Sequence, residues 1–99
     1  MTPRFQISPP ALEELCRRHG IKRLSLFGSV LTPEFGPDSD IDVLVEFQPG
    51  HRIGLFGMSA IQRELSALTG RNVDLRTPND LSKYFREDVL RRAVVQYAA

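Results

Sequence analysis

An α/β (α+β) fold, a small mixed β-sheet flanked by helices, is predicted by three features of the sequence. Short strand-like runs at 23–27, 41–47 and 72–76 alternate with stretches whose apolar residues recur at helical spacing. Glycine or proline punctuates most of the junctions between them. The 99 residues suffice for a single domain, expected to span 1–99, with little area for a private, enclosing substrate pocket.

Ser8-Pro9-Pro10 supplies a cap and a proline start for a first helix, with Leu12, Leu15 and Cys16 on its apolar stripe and Gly20 at its end. Arg23 to Phe27 reads as a strand that delivers Gly28-Ser29 at its C-terminal end, where α/β proteins place ligands. A helix is expected to open at that turn, and the loop from Thr32 to Ser39, with Pro33, Gly36 and Pro37, returns the chain to the same edge. In the second strand Ile41, Val43, Val45 and Phe47 face one way and Asp42, Leu44 and Glu46 the other.

Pro49-Gly50 stops that strand, and Leu55, Met58, Ile61, Gln62, Leu65 and Leu68 trace a second helix with Gly70 as its C-cap. Asn72 to Arg76 is a third strand with Val73 and Leu75 on one face and Asp74 on the polar one. Thr77-Pro78-Asn79-Asp80 has the chemistry of a helix start, and Tyr84, Phe85, Val89 and Leu90 continue at helical spacing. The tail Ala93 to Tyr97 suits either more helix or a closing edge strand, and helix is the expectation.

A formal charge of +1 is too small for the basic stripe by which a nucleic-acid binder neutralises several phosphates. Charge is nonetheless uneven. Residues 34–46 hold Glu34, Asp38, Asp40, Asp42 and Glu46 without a lysine or arginine, a patch that attracts cations. The single cysteine excludes an internal disulfide, and neither a secretory leader nor a membrane-length apolar run is seen. A soluble cytoplasmic protein is expected.

The chemistry concentrates at Gly28-Ser29, followed after ten residues by Asp40-Ile41-Asp42. Side chains two apart on a strand share a face, so Asp40 and Asp42 can offer oxygens side by side to hard divalent cations such as magnesium. Gly28, lacking a Cβ, lets a phosphate approach the backbone, and the Ser29 hydroxyl with nearby amides can donate to phosphate oxygens. A lone Asp-x-Asp is ordinarily solvated surface; the joint spacing, with Asp74 on a later strand, is what gives the pattern specificity. His19 and His51 have no cysteine or histidine partners that would suggest zinc. Arg63 and Arg71 have forks that match phosphate oxygens and could reach a triphosphate, but they read as solvated charges, and Cys16 reads as inert packing.

These residues resemble the signature of the minimal nucleotidyltransferases, the smallest members of the DNA polymerase beta-like superfamily. The matching positions are Phe27-Gly28-Ser29, then Asp40 and Asp42, then Asp74, and the likeness covers essentially the whole chain. The resemblance implies that Asp40, Asp42 and Asp74 are catalytic and hold two magnesium ions, that Gly28 and Ser29 bind the nucleotide, and that ATP is the substrate. It further implies a partner: members of this family pair with a HEPN-domain ribonuclease toxin and transfer AMP to one of its tyrosine hydroxyls. The expected role is therefore an antitoxin that forms a hetero-oligomer with that toxin, with no direct nucleic-acid or membrane contact. Two other readings stand beside it, a non-catalytic antitoxin acting by binding alone and the nucleotide-binding subunit of a split aminoglycoside nucleotidyltransferase.

Overall fold

A computed structural model describes residues 7–51 and 53–99 of the chain. Helix α1 (Pro9–Arg18) leads into β1 (Ile21–Phe27), and β2 (Ile41–Phe47) is joined by helix α2 (Leu55–Thr69) to β3 (Val73–Arg76). Helix α3 (Arg86–Arg92) and β4 (Val94–Ala98) complete the order. The sheet runs β3-β2-β1-β4, with β1 antiparallel to both β2 and β4 and β2 parallel to β3. That one parallel pair is why the connection from β2 to β3 needs a helical crossover and not a hairpin.

Helix α1 packs on β1 and β4, α2 packs on β3, and the two helices touch. Leu12, Leu15 and Cys16 of α1 and Ile61 and Leu65 of α2 are buried against Leu24, Leu26, Ile41, Val43, Val45 and Val73 of the strands. Burial pushes the Cys16 thiol up to about 12, which leaves it a packing group. On the polar side of the joint between the helices, the Glu64 carboxylate receives Arg18 at 2.6 Å and contacts His19, and the Arg18 hydrogen bond is the main cause of its lowered pKa.

The glycines expected after the first two helices stand where the sequence puts them. Gly20 and Gly70 adopt φ values of 66° and 67°, and the Gly70 amide closes α2 by donating to the Ser66 carbonyl. Ser8 stands at the head of α1 without a side-chain capping bond. On the expected stripe of α2, Leu55 is 86% exposed, Gln62 is exposed and Leu68 is 43% exposed. Leu44 is buried beside its cross-strand partner Ser25, so the sheet face expected to be polar is also covered at its centre.

Three expectations are corrected. The helix expected at Gly28-Ser29 is a single 3-10 turn, Gly28–Leu31. Pro33 disfavours helical backbone at Thr32, which is extended, and both the Thr32 amide and hydroxyl bond to the Ser29 carbonyl to close the turn. The start at Thr77-Pro78 gives only a 3-10 turn, Pro78–Asp80, in which the Asp80 carboxylate accepts from the Thr77 amide and hydroxyl at 3.0 Å each; α3 begins later, leaving Tyr84 and Phe85 outside it. The tail is a strand. Ala93 takes an extended ψ of 141°, and β-branched Val94 and Val95 with Tyr97 pair with the open edge of β1.

Candidate active site

Strand direction brings most of the site together. Because β1 and β2 are antiparallel, the C-terminal end of β1 lies beside the N-terminal end of β2, and Phe27 pairs with Asp42. Because β2 and β3 are parallel, Asp42 pairs in turn with Asp74. The Gly28 turn, Asp42 and Asp74 therefore form a row across three neighbouring strands. Asp40 joins it from outside the sheet, one residue before β2 begins, contrary to the expectation of a strand position.

Gly28 is committed to this row by more than phosphate access. Its φ of 76° lies in the left-handed region, and a Cβ placed there would collide with the Asp42 carboxylate oxygen Oδ2. The Ser29 amide, expected to face phosphate, instead favours the ionised Asp42 carboxylate.

Negative charge is concentrated around Asp42. Asp42 is half-buried, and burial, then the neighbouring Asp74 charge and more weakly Asp40, push its pKa above the ordinary carboxylate range against the Ser29 amide and Arg76. Asp74 accepts from Arg76 Nε at 3.3 Å and Nη2 at 3.4 Å, while Asp40 Oδ1 accepts from Asn72 Nδ2 at 3.1 Å. Among the described residues no cluster of three or more acidic, histidine or cysteine side chains stands at metal-binding spacing. The three positions are adjacent in the fold, and Asp40 and Asp74 each have a side-chain partner.

Arg71, set aside on sequence as a solvated charge, is placed differently by the structure. Its guanidinium is not a solvated charge: Nη2 donates to the carbonyls of Gly36 and, at 2.8 Å, Ser39, and the group lies 4.5 Å above the Phe35 ring. The signal available was its place immediately before the third strand, opposite a loop rich in glycine and proline. A cavity of about 590 Å³ adjoins the Gly28 turn, lined by Leu31, Thr32, Val89, Arg92 and Val94 among others. Arg63 is exposed on α2, and His51 stacks on Phe47 at 5.8 Å, away from the row.

A glycine turn at one strand end beside aspartates from two adjacent strands defines a phosphoryl-transfer class of protein, one that handles a polyanion next to a carboxylate set. Comparison with known proteins gives the family. The family model for the nucleotidyltransferase domain matches residues 10–96, and the chain belongs to that family as a nucleotidyltransferase. It is similar to a candidate protein adenylyltransferase of Methanocaldococcus jannaschii, 38% identical over 77 residues, covering 78% of this chain and 81% of the relative. It is also similar to the protein adenylyltransferase MntA of Thermococcus cleftensis, 34% identical over 82 residues, covering 83% of this chain and 81% of the relative.

Among solved structures, a candidate minimal nucleotidyltransferase matches with a TM-score of 0.71 at 38% identity, covering 87% of this chain and 86% of the other. The same fold recurs in a toxin–antitoxin crystal structure with AMP-PNP, at a TM-score of 0.72 and 18% identity, covering 94% of this chain and 75% of the other. It recurs again in the complex of a tri-AMPylated Shewanella oneidensis HEPN toxin with an MNT antitoxin, at 0.64 and 18%, covering 92% and 70%. The mixed sheet is thus that of the nucleotidyltransferase fold. Among the described residues no helix is long and apolar enough to cross a membrane.

Proposed function

We propose that the chain acts over residues 1–99 as a single minimal nucleotidyltransferase domain. It transfers AMP from ATP to a tyrosine hydroxyl of a HEPN ribonuclease toxin and so neutralises it as its antitoxin in the cytoplasm. The observation that carries this reading is the row formed by the Gly28 turn, Asp42 and Asp74. The relatives' names supply the acceptor class, since both are called protein adenylyltransferases, and a structure of like fold holds an AMP-modified HEPN toxin.

The donor set fits magnesium: three carboxylates, hard oxygen ligands, with Asp42 carrying a charge that its neighbours oppose. Asp40, Asp42 and Asp74 would hold it, and bound there it would supply charge stabilisation for the attacking and leaving oxygens. The remaining work belongs to the chain. Gly28 and Ser29 seat the triphosphate, the glycine by leaving backbone exposed and the serine by its hydroxyl. Asp74, held in place by its hydrogen bonds from Arg76, accepts the acceptor hydroxyl's hydrogen bond and takes its proton. The tyrosine oxygen bonds to the α-phosphorus, the bond from that phosphorus to the bridging oxygen breaks, and pyrophosphate leaves. Such chemistry needs mainly positioning and electrostatics, which suits so short a chain.

The test is co-expression with the HEPN-domain protein. The parent should leave the toxin heavier by one or more AMP units in an intact mass spectrum, and Asp74→Asn should not. Silencing of an unmodified toxin, equally by parent and variant, overturns the catalytic reading in favour of neutralisation by binding.

A further inference from the structure

Asp42 and Asp74 are placed by sheet register, but Asp40 is not: it precedes β2 at the end of a loop that spans 32–39. Something other than the strand ladder must fix its carboxylate. Two consecutive residues at the mouth of β3 do so. Arg71 reaches across to the Gly36 and Ser39 carbonyls and covers the Phe35 ring, gripping the loop at three points just before Asp40. Asn72 binds the Asp40 carboxylate itself through Nδ2 at 3.1 Å, and its carbonyl receives the Ile41 amide at 2.9 Å. Within the loop the Gly36 amide donates to the Ser39 hydroxyl at 3.0 Å, and the Ser39 amide returns a bond to the Gly36 carbonyl at 3.1 Å. The two carbonyls that Arg71 holds are therefore already brought together.

We propose that Arg71 and Asn72 form a two-residue clamp that sets the position and orientation of Asp40, making them positioning residues for cation binding at the site. Arginine is suited to the task and lysine is not. A planar guanidinium can hold two carbonyls in one plane and lie flat on an aromatic ring at once, whereas an ammonium is a compact point charge on a flexible stem. The clamp also couples two chain-distant parts of the site, because the residues that orient Asp40 lead directly into the strand that carries Asp74. This inference rests on the reading of Asp40 as a cation ligand, and the measurements are chosen so that the two can fail separately.

The first measurement needs no metal. The side-chain carboxyl carbon of Asp40 is followed by NMR in the parent, Arg71→Ala, Arg71→Lys and Asn72→Ala, with melting temperatures confirming that each folds. The Asp40 resonance should move or broaden in all three, while those of Asp42 and Asp74 stay. The second measurement is calorimetry with manganese alone, where Arg71→Ala and Asn72→Ala should bind about 10–100-fold more weakly, as when a group orienting a metal ligand is removed. Added guanidinium ion should recover part of the loss in Arg71→Ala but none in Asn72→Ala, a distinction a purely structural role would not produce. An unmoved Asp40 resonance with parental manganese affinity overturns the clamp, and if Arg71→Ala does not fold, Asn72→Ala decides it on the same criteria. A parent that binds no manganese overturns the metal reading, and the NMR result then judges whether the clamp orients Asp40.

Discussion

Residues 21–76 and residues 77–99 are built on different terms. The first region supplies β1 to β3, the crossover helix, the three aspartates and most of the core; in the second, no residue is buried. The C-terminal segment contributes a short helix and an edge strand whose residues are all at least partly exposed. The difference shows where precision is needed. Aspartates whose relative placement would decide the proposed chemistry sit on or next to strands pinned by close packing, while the segment that closes the sheet edge is held mainly by backbone pairing with β1.

The sharpest way to break this contrast is to change one carboxylate in each region. Asp42→Asn should reduce AMP transfer by more than ~10²-fold, beyond the loss that misplacing a reacting group alone causes, whereas exposed Glu87→Gln should leave it unchanged. The same Asp42 variant should melt higher than the parent at neutral pH. Its folded pKa is raised, so the folded state holds the proton more tightly than the unfolded state. The destabilisation from its charge is absent below the ordinary carboxylate pKa, grows as pH rises through the window up to the raised value, and is complete above it. Melting curves of both proteins should therefore converge in acid, and a parent that melts higher at pH 7 contradicts the electrostatics described for the site.

Next in size is the packing contrast. Leu24→Ala, in the middle of the sheet and fully buried, should cost about 2–5 kcal/mol in urea unfolding. Leu90→Ala, on a residue 40% exposed in α3, should cost less than about 1 kcal/mol. Similar losses at both would mean that the C-terminal segment belongs to the core after all.

That division also marks what the sequence could reveal. Over 21–76 alternation, helical spacing and terminal glycines all point the same way, so β2, α2 and β3 lie within a residue of their expected bounds. The Gly28, Asp42 and Asp74 row was legible because it depends on strand ends, which local pattern predicts. The clamp on Asp40 was not. It depends on Arg71 reaching carbonyls more than 30 residues away in sequence, and no periodicity carries such a contact. Val94 to Tyr97 were misread because half-exposed residues give a weak pattern, and the unpaired edge of β1 settles their state.

Two glycines with nearly equal backbone angles sharpen the comparison within the first region. Gly28→Ala and Gly70→Ala both place a side chain at positive φ, 76° and 67°, costing about 1–2 kcal/mol each. A Cβ at Gly70 meets nothing within 4 Å, but at Gly28 it strikes Asp42. Gly70→Ala should thus lose stability and keep transfer, and Gly28→Ala should lose more stability and most of the transfer. Loss of transfer in both would show that activity follows stability and not the clash at the site.

The smallest effect decides the nature of the tail. Val95 is 51% exposed on β4, so replacing it changes little burial, and backbone preference becomes visible. In a strand, a β-branched residue is favoured over alanine, on a scale that spans about 1 kcal/mol in all. In a helix the order reverses, because alanine is the best helix former and valine and threonine lose side-chain rotamers. Val95→Thr should therefore be more stable than Val95→Ala by about 0.5 kcal/mol, with both close to the parent. Paired urea titrations can resolve a difference of that sign when the unfolding slopes agree. If Val95→Ala is the more stable of the two, the segment is helical in solution, β1 loses its pairing partner on that edge, and the contrast between a packed site region and a strand-closed edge no longer holds.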